Sequence, residues 1–358
     1  MSSDSIPESE IDFDKIRGDQ GETMQINEEH QNNPVADPVD ALVAVTRPIF
    51  AAVLAGVSED TLARWKHERL EVPLGGLADV RTQSDGETGV AFEYAVHSAM
   101  LDGNPVVLER VTDALKKCNI TSTNPTSILF AVEKNRQAQL LRTQRELITD
   151  ASRVLSGKRG NPVKLKGQLN TLEAAFNRKT TKTGLPQSIS GLWKSDLFLG
   201  DPTPDHWVGT TVKTNVSRLE GAIGLRVAIV PAVADRTDAI YIDEKKNLIV
   251  CPMPYDGSFV QTFYEGRRVV QALLASNFKV PKPGILTTNA EREVARMWIE
   301  RRDLTVGDAL AAMETFQQQG LLRRKDERIV TIAVDEEPTK EPSATLIAPF
   351  PSLSNEKG

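Results

Sequence analysis

Cysteine, histidine and aromatic side chains are scarce in this chain. Its 358 residues include two cysteines and four histidines, and only 5% are Phe, Trp or Tyr. Cys118 and Cys251 stand apart, with no CxxC and no histidine at ligand spacing. That argues against a zinc centre or a disulfide framework and fits two buried thiols in a reducing compartment. Long apolar runs are lacking too. The longest, "ALVAVTRPIFAAVLAGV", is interrupted by Arg47 and Pro48, short of the roughly 20 residues that cross a bilayer. The opening stretch "MSSDSIPESEIDFDK" is acidic and polar, the opposite of a secretion signal. A cytoplasmic protein without a membrane partner is expected. No GxxxxGK[ST] and no GxGxxG is present, which removes the P-loop and the dinucleotide fingerprint.

Charge of one sign is also missing locally, although the net charge is only -6. Residues 1–40 hold eleven acids against Lys15 and Arg17. Residues 151–194 hold nine bases against Glu173 alone. The acidic segment is poor in apolar residues and cannot offset its ordering entropy, so 1–38 is expected to be a disordered arm. The end, 335–358, has a similar texture and is expected to be a disordered tail. Both ends are candidate protein-binding segments.

Between them the chain changes periodicity. Residues 39–104 are expected to form N-terminal helices that contribute to the core, including "GVAFEYAVHSAM", which carries Glu93 and His97. Residues 105–190 are expected to form a helical and basic insertion, with "SILFAVEKNRQAQLLRTQRELITDASRVLS" read as helix. At Trp193 the texture turns to strands: "DLFLG", "WVGTTVKT", "LRVAIVPA" and "NLIVCPMP" are rich in β-branched or aromatic residues and bounded by turn formers. The segment 191–283 therefore reads as an α/β core that closes with a helix, and 284–334 as a C-terminal helical module.

Within "KSDLFLGDPTPDHWVGTTVKTN" an aspartate, Asp196, opens one strand and a lysine, Lys213, ends the next. Alternation along a strand puts Thr211 and Lys213 on one face, and a hairpin over "GDPTPDH" would bring that face beside Asp196. Asp196 and a helix carboxylate suit a hard divalent cation. A lysine beside them suits orientation of water or neutralisation of phosphate charge. His97 lies one turn after Glu93 on the same helix face. It reads either as a neighbour of such a site or as a satisfied, partly buried histidine. Lys158, Arg159, Lys164, Lys166 and Lys194 are candidate nucleic-acid contacts, the alternative being a solvated charged surface.

A helix glutamate, a strand aspartate and a triplet ending in lysine resemble the PD-(D/E)xK nuclease superfamily. Here "SD" stands for the first motif and "TVK" for the second, with Thr211 where the family carries an acid. The resemblance implies an α/β fold with a mixed-sheet restriction endonuclease-like core. It implies Glu93, Asp196 and Lys213 as catalytic residues, Asp196 and Glu93 as metal ligands, and Mg²⁺ as the cofactor. It further implies DNA as the partner and metal-dependent cleavage of phosphodiester bonds, as in a restriction-type effector of prokaryotic defence. The threonine at 211 keeps open a non-catalytic subunit of the same fold that binds nucleic acid or scaffolds a larger complex.

Overall fold

The computed structural model describes residues 38–66, 68–81, 87–155, 162–177, 187–233, 238–255 and 259–313, with 330–332 and 346–348. The expected arm at 1–38, apart from Pro38, which begins a helix, lies outside these residues, as do the bases Lys158 and Arg159 and most of the expected tail.

Helix α1 (Pro38–Ala55) runs through Pro48. An interior proline costs about 3 kcal/mol, and burial of Leu42, Val45, Ile49, Phe50 and Val53 offsets it. By length and composition α1 would reach across a bilayer, but 67% of it is buried inside the fold. It is a core helix. Ser58 caps α2 (Glu59–Trp65) by accepting from the Thr61 N–H, and α3 (Leu77–Val80) follows after two short turns. The amphipathic run with Glu93 is α4 (Glu87–Leu101). Asn104 caps α5 (Pro105–Lys117), which has proline in its first turn.

The run from Ser127 to Ser156, expected as helix, divides. It yields β1 (Thr126–Leu129), α6 (Val132–Arg142), a π turn at Thr143–Leu147 and β2 (Arg153–Val154). Pairing decides the matter at its start. β1 gains a ladder along β4 (Leu197–Asp201), with Ile128 opposite Phe198, and cross-strand burial outweighs a short helical pattern. Then come β3 (Val163–Lys164), α7 (Leu165–Asn177) and α8 (Gln187–Trp193). The strand-rich region holds β4, β5 (His206–Val212), β6 (Leu225–Pro231), β7 (Tyr241–Asp243) and β8 (Leu248–Met253). It is followed by α9 (Val260–Ala275), α10 (Asn289–Ile299) and α11 (Val306–Ala312).

The result is a mixed α/β fold on one open mixed sheet of eight strands in the order β1-β4-β5-β6-β8-β7, with β2 and β3 attached at the start of β5. The turn after β4 makes an antiparallel hairpin with Asp201 opposite His206, whereas β5, β6 and β8 run parallel. Side chains alternate between two cores, as the period of two requires. Leu197, Leu199, Val227, Ile229, Ile249 and Cys251 pack under α1, α4, α5 and α9. Phe198 and Trp207 join α7 and α8 on the other face, and Ala228, Val230 and Val250 form a third cluster. α10 and α11 share the first core through Val294, Trp298 and Val306. The Trp298 indole N–H donates to Thr46 Oγ1 at 2.9 Å.

The chain divides into residues 34–325, described above, and a second unit of 1–33 and 326–358. In that unit β9 (Val330–Ile332) pairs antiparallel with β10 (Leu346–Ala348), Ile332 facing Leu346. β10 falls within the tail expected to be disordered.

Candidate active site

Asp196 is the residue just before β4, and both of its backbone groups are tied down. Its N–H donates to Thr210 O of β5 at 2.9 Å, and its carbonyl accepts from Phe130 N and Ala131 N at 3.0 and 2.9 Å. The residue is buried, at 3% exposure. One carboxylate oxygen, Oδ2, accepts three hydrogen bonds: from Thr211 Oγ1 at 3.0 Å, Val212 N at 2.8 Å and Lys213 Nζ at 2.9 Å. The hairpin and the strand alternation thus bring Asp196, Thr211 and Lys213 together as the sequence pattern requires.

Glu93 reaches the same place from α4 and is 1% exposed. Its Oε1 accepts from Lys134 Nζ, and that ammonium is also 3.4 Å from Asp196 Oδ1. Among the described residues Glu93 Oε2 has no hydrogen-bond partner. Burial first, then the charge of Asp196, push the Glu93 carboxyl up to about 8, against the opposing pull of Lys134 and Lys213. Burial also works against the Lys134 ammonium, yet Asp196 and Glu93 hold its pKa above the usual lysine value. Both shifts point the same way. The cluster binds protons more tightly than its members would apart, because buried carboxylates require positive charge beside them.

A cavity of about 340 Å³ opens over these groups. Its walls are Gly89 and Glu93 of α4, Lys134 of α6, Lys194, Thr211 and Lys213 of β5 and its end, and Arg218 of the connection to β6. A shift of register between Gly209 and Thr210 shapes this wall, as a bulge re-aims the side chains beyond it. Glycine is required there, since a Cβ at Gly209 would stand 2.3 Å from Gly224 O.

The other anticipated residues separate. Lys194 lines the cavity and pairs with Glu220 on the same wall. Lys164 is exposed on β3, and Lys166 pairs with Asp150 at 2.8 Å; neither lines the cavity. His97 does not line it either. Its Nδ1 lies 2.7 Å from Ser127 Oγ of β1. Burial, then the nearby charge of Arg142, lower its pKa to about 4, so the ring is neutral near pH 7 and joins α4 to the sheet. Lys134 is the member of the cluster that sequence inspection missed. In "FAVEKN" it reads as an ordinary lysine in the first turn of a helix, and only the fold brings it between two acids that are 41 and 62 positions away.

Glu93, Glu133, Glu220, Lys134, Lys194, Lys213 and Arg218 line the cavity, with Asp196 buried beside it, and together they form a site for charged ligands. Glu93 Oε2 and Asp196 Oδ1 keep acceptor capacity for a hard cation, and Lys213 and Arg218 offer donors to an anion beside it. Comparison of the chain with protein-family models, curated proteins and solved structures gave no match in any of the three.

Proposed function

We propose that this cavity is the site of a metal-dependent nuclease with a restriction endonuclease-like core, cleaving DNA phosphodiester bonds in the cytoplasm. One observation carries the reading: Glu93 and Lys213, far apart in sequence, line the same cavity, and Asp196, buried beside it, is paired with Lys213 and with the Lys134 that holds Glu93. The donor set fits a divalent cation. Glu93 and Asp196 would hold it through oxygen, and Glu93 Oε2 is a buried carboxyl oxygen without a hydrogen-bond partner among the described residues. When bound, such an ion supplies Lewis-acid stabilisation of charge on the phosphate.

The chain's own residues perform the remaining tasks. Lys213, held by Asp196 and with 32% of its side chain exposed, donates to a phosphate oxygen or to the attacking water and stabilises charge that grows in the transition state. Arg218 and Lys194, on the outer wall, attract and orient the strand. Thr211, in the place of the family acid, fixes Asp196 by donating to Oδ2 and contributes no charge. Glu93 supplies the second carboxylate instead.

A second reading has its own support. Lys134 already pairs with both acids, and Thr211 cannot ligate as a carboxylate does; both features suit a non-catalytic, nucleic-acid-binding or scaffolding subunit. Incubation with supercoiled plasmid in Mg²⁺, Mn²⁺ or EDTA separates the two. The nuclease reading expects nicked or linear product only with metal, and its loss in Asp196→Asn. Binding of DNA without cleavage under any metal would leave the second reading.

A further inference from the structure

We infer that Lys134 is the resident cation of this site: its ammonium holds Glu93 and Asp196 together until a divalent cation displaces it into the cavity, where it serves as a phosphate-binding group. The inference rests on the metal-site reading proposed above and adds a residue and a mode of control to it.

The position is built, not incidental. The start of α6 hangs on Asp196 itself, since Phe130 N and Ala131 N both donate to the Asp196 carbonyl. Ala131 takes φ 32° and ψ 39° there, a left-handed conformation that a residue with a Cβ adopts only when its surroundings impose it. Its carbonyl then accepts from Lys134 N at 3.0 Å, which begins the helix and fixes where the lysine stem leaves the backbone. The side chain ends between the two acids, bonded to Glu93 Oε1 and 3.4 Å from Asp196 Oδ1.

Charge explains why something must stand there. Two buried carboxyl groups facing one another cannot both ionise without a cation between them. Lys213 serves only the far oxygen of Asp196, Oδ2. Lys134 serves Glu93 Oε1 and Asp196 Oδ1, and a metal held by the same two carboxyls would also need Asp196 Oδ1. An ammonium and a divalent cation cannot share that gap, so the two compete. Displacement does not strand the lysine. Its stem is flexible, 31% of the side chain is exposed and it forms part of the cavity wall, so the freed ammonium stays beside Lys213 and Arg218 where phosphate would lie.

The test measures metal binding, not cleavage. Mn²⁺ affinity is determined by electron paramagnetic resonance for the full chain and for Lys134→Met. Removal of the competitor should tighten Mn²⁺ binding by about tenfold or more, the scale on which groups around a metal tune its affinity. In the unmodified protein, acetylation of Lys134, mapped by mass spectrometry, should accelerate when Mn²⁺ is added, which needs no variant to fold. Equal or weaker Mn²⁺ binding in Lys134→Met, no Mn²⁺ binding by either protein, or acetylation indifferent to Mn²⁺ would each overturn the inference. Tightened binding with no plasmid cleavage by either protein retires the nuclease reading and keeps this role for Lys134. Cleavage by the unmodified protein with unaltered Mn²⁺ affinity in the variant does the reverse.

Discussion

Asp196 spends one oxygen on structure and leaves the other to the cluster. The three donors on Oδ2 come from Thr211, Val212 and Lys213, and removing their shared acceptor leaves each buried or half-buried without a partner. Asp196→Ala should therefore cost about 3–5 kcal/mol in urea unfolding. Asp196→Asn keeps a carbonyl toward two of the donors and should cost less. Glu93 behaves in the opposite sense. Its folded pKa is raised to about 8, above that of an unfolded glutamate near 4.3. The stability it contributes is then present below the unfolded value and lost as pH rises through about 8. Glu93→Gln cannot ionise, so its melting temperature relative to the unmodified protein should climb from pH 6 to about pH 8 and level off by pH 9.5. A constant difference across that range would show that Glu93 is not held protonated. Such a residue lowers stability where it serves a site, as functional carboxyls do.

At the scale of elements, the close approach of β5 to the loop before β6 positions Thr211 and Lys213. Gly209→Ala would push a methyl group to 2.3 Å from Gly224 O, and the backbone must move to relieve it. A loss of about 1–3 kcal/mol is expected, together with a weaker grip of Lys213 on Asp196; an alanine variant as stable as the parent in urea would contradict the bulge as a constraint. The hairpin was legible in the sequence because "DLFLG" and "WVGTTVKT" carry β-branched and aromatic runs around a Pro-rich turn, and Asp201 does face His206. Helix α4 was legible from its apolar period. β1 was not, because "TSIL" is four residues long and runs directly into a helical pattern. What makes it a strand is the ladder with β4, a partner some seventy residues on. Lys134 was hidden for the same reason: its role depends on Ala131 turning left-handed against Asp196, and no local pattern announces that.

At the scale of the whole molecule, a charged cavity lies beside β5, with acids supplied by α4, α6 and the loop before β6 and bases by α6, Lys194, the end of β5 and that same loop. Burial of polar groups elsewhere is settled by hydrogen bonds. For Asp201, burial alone would raise the pKa, but Ser122 and the N–H groups of Thr203, Asn124 and Thr123 lower it below the usual aspartate value. A lowered carboxyl contributes stability that is present above its unfolded pKa, near 3.9, and lost as pH falls through the folded value. Asp201→Asn should thus lose most near neutral pH and little in strong acid, which thermal melts across pH 2 to 7 would check. The proposed DNA reading is tested through the basic segment at the same scale. Reversing charge at Lys158, Arg159, Lys164 and Lys166 should weaken binding and flatten its salt dependence by about 0.9 in logarithmic slope for each phosphate no longer neutralised. An unaltered slope would return the segment to ordinary surface. The central claim, that Lys213 and the two acids cleave a phosphodiester, is tested most directly by single-turnover cleavage of an end-labelled DNA duplex in Mn²⁺ by the unmodified protein and Lys213→Met. The account predicts metal-dependent cleavage that falls by about 10²–10³ in the variant, the usual loss for one charge-stabilising donor, with DNA affinity retained; cleavage at equal rates, or none by the unmodified protein, would contradict it.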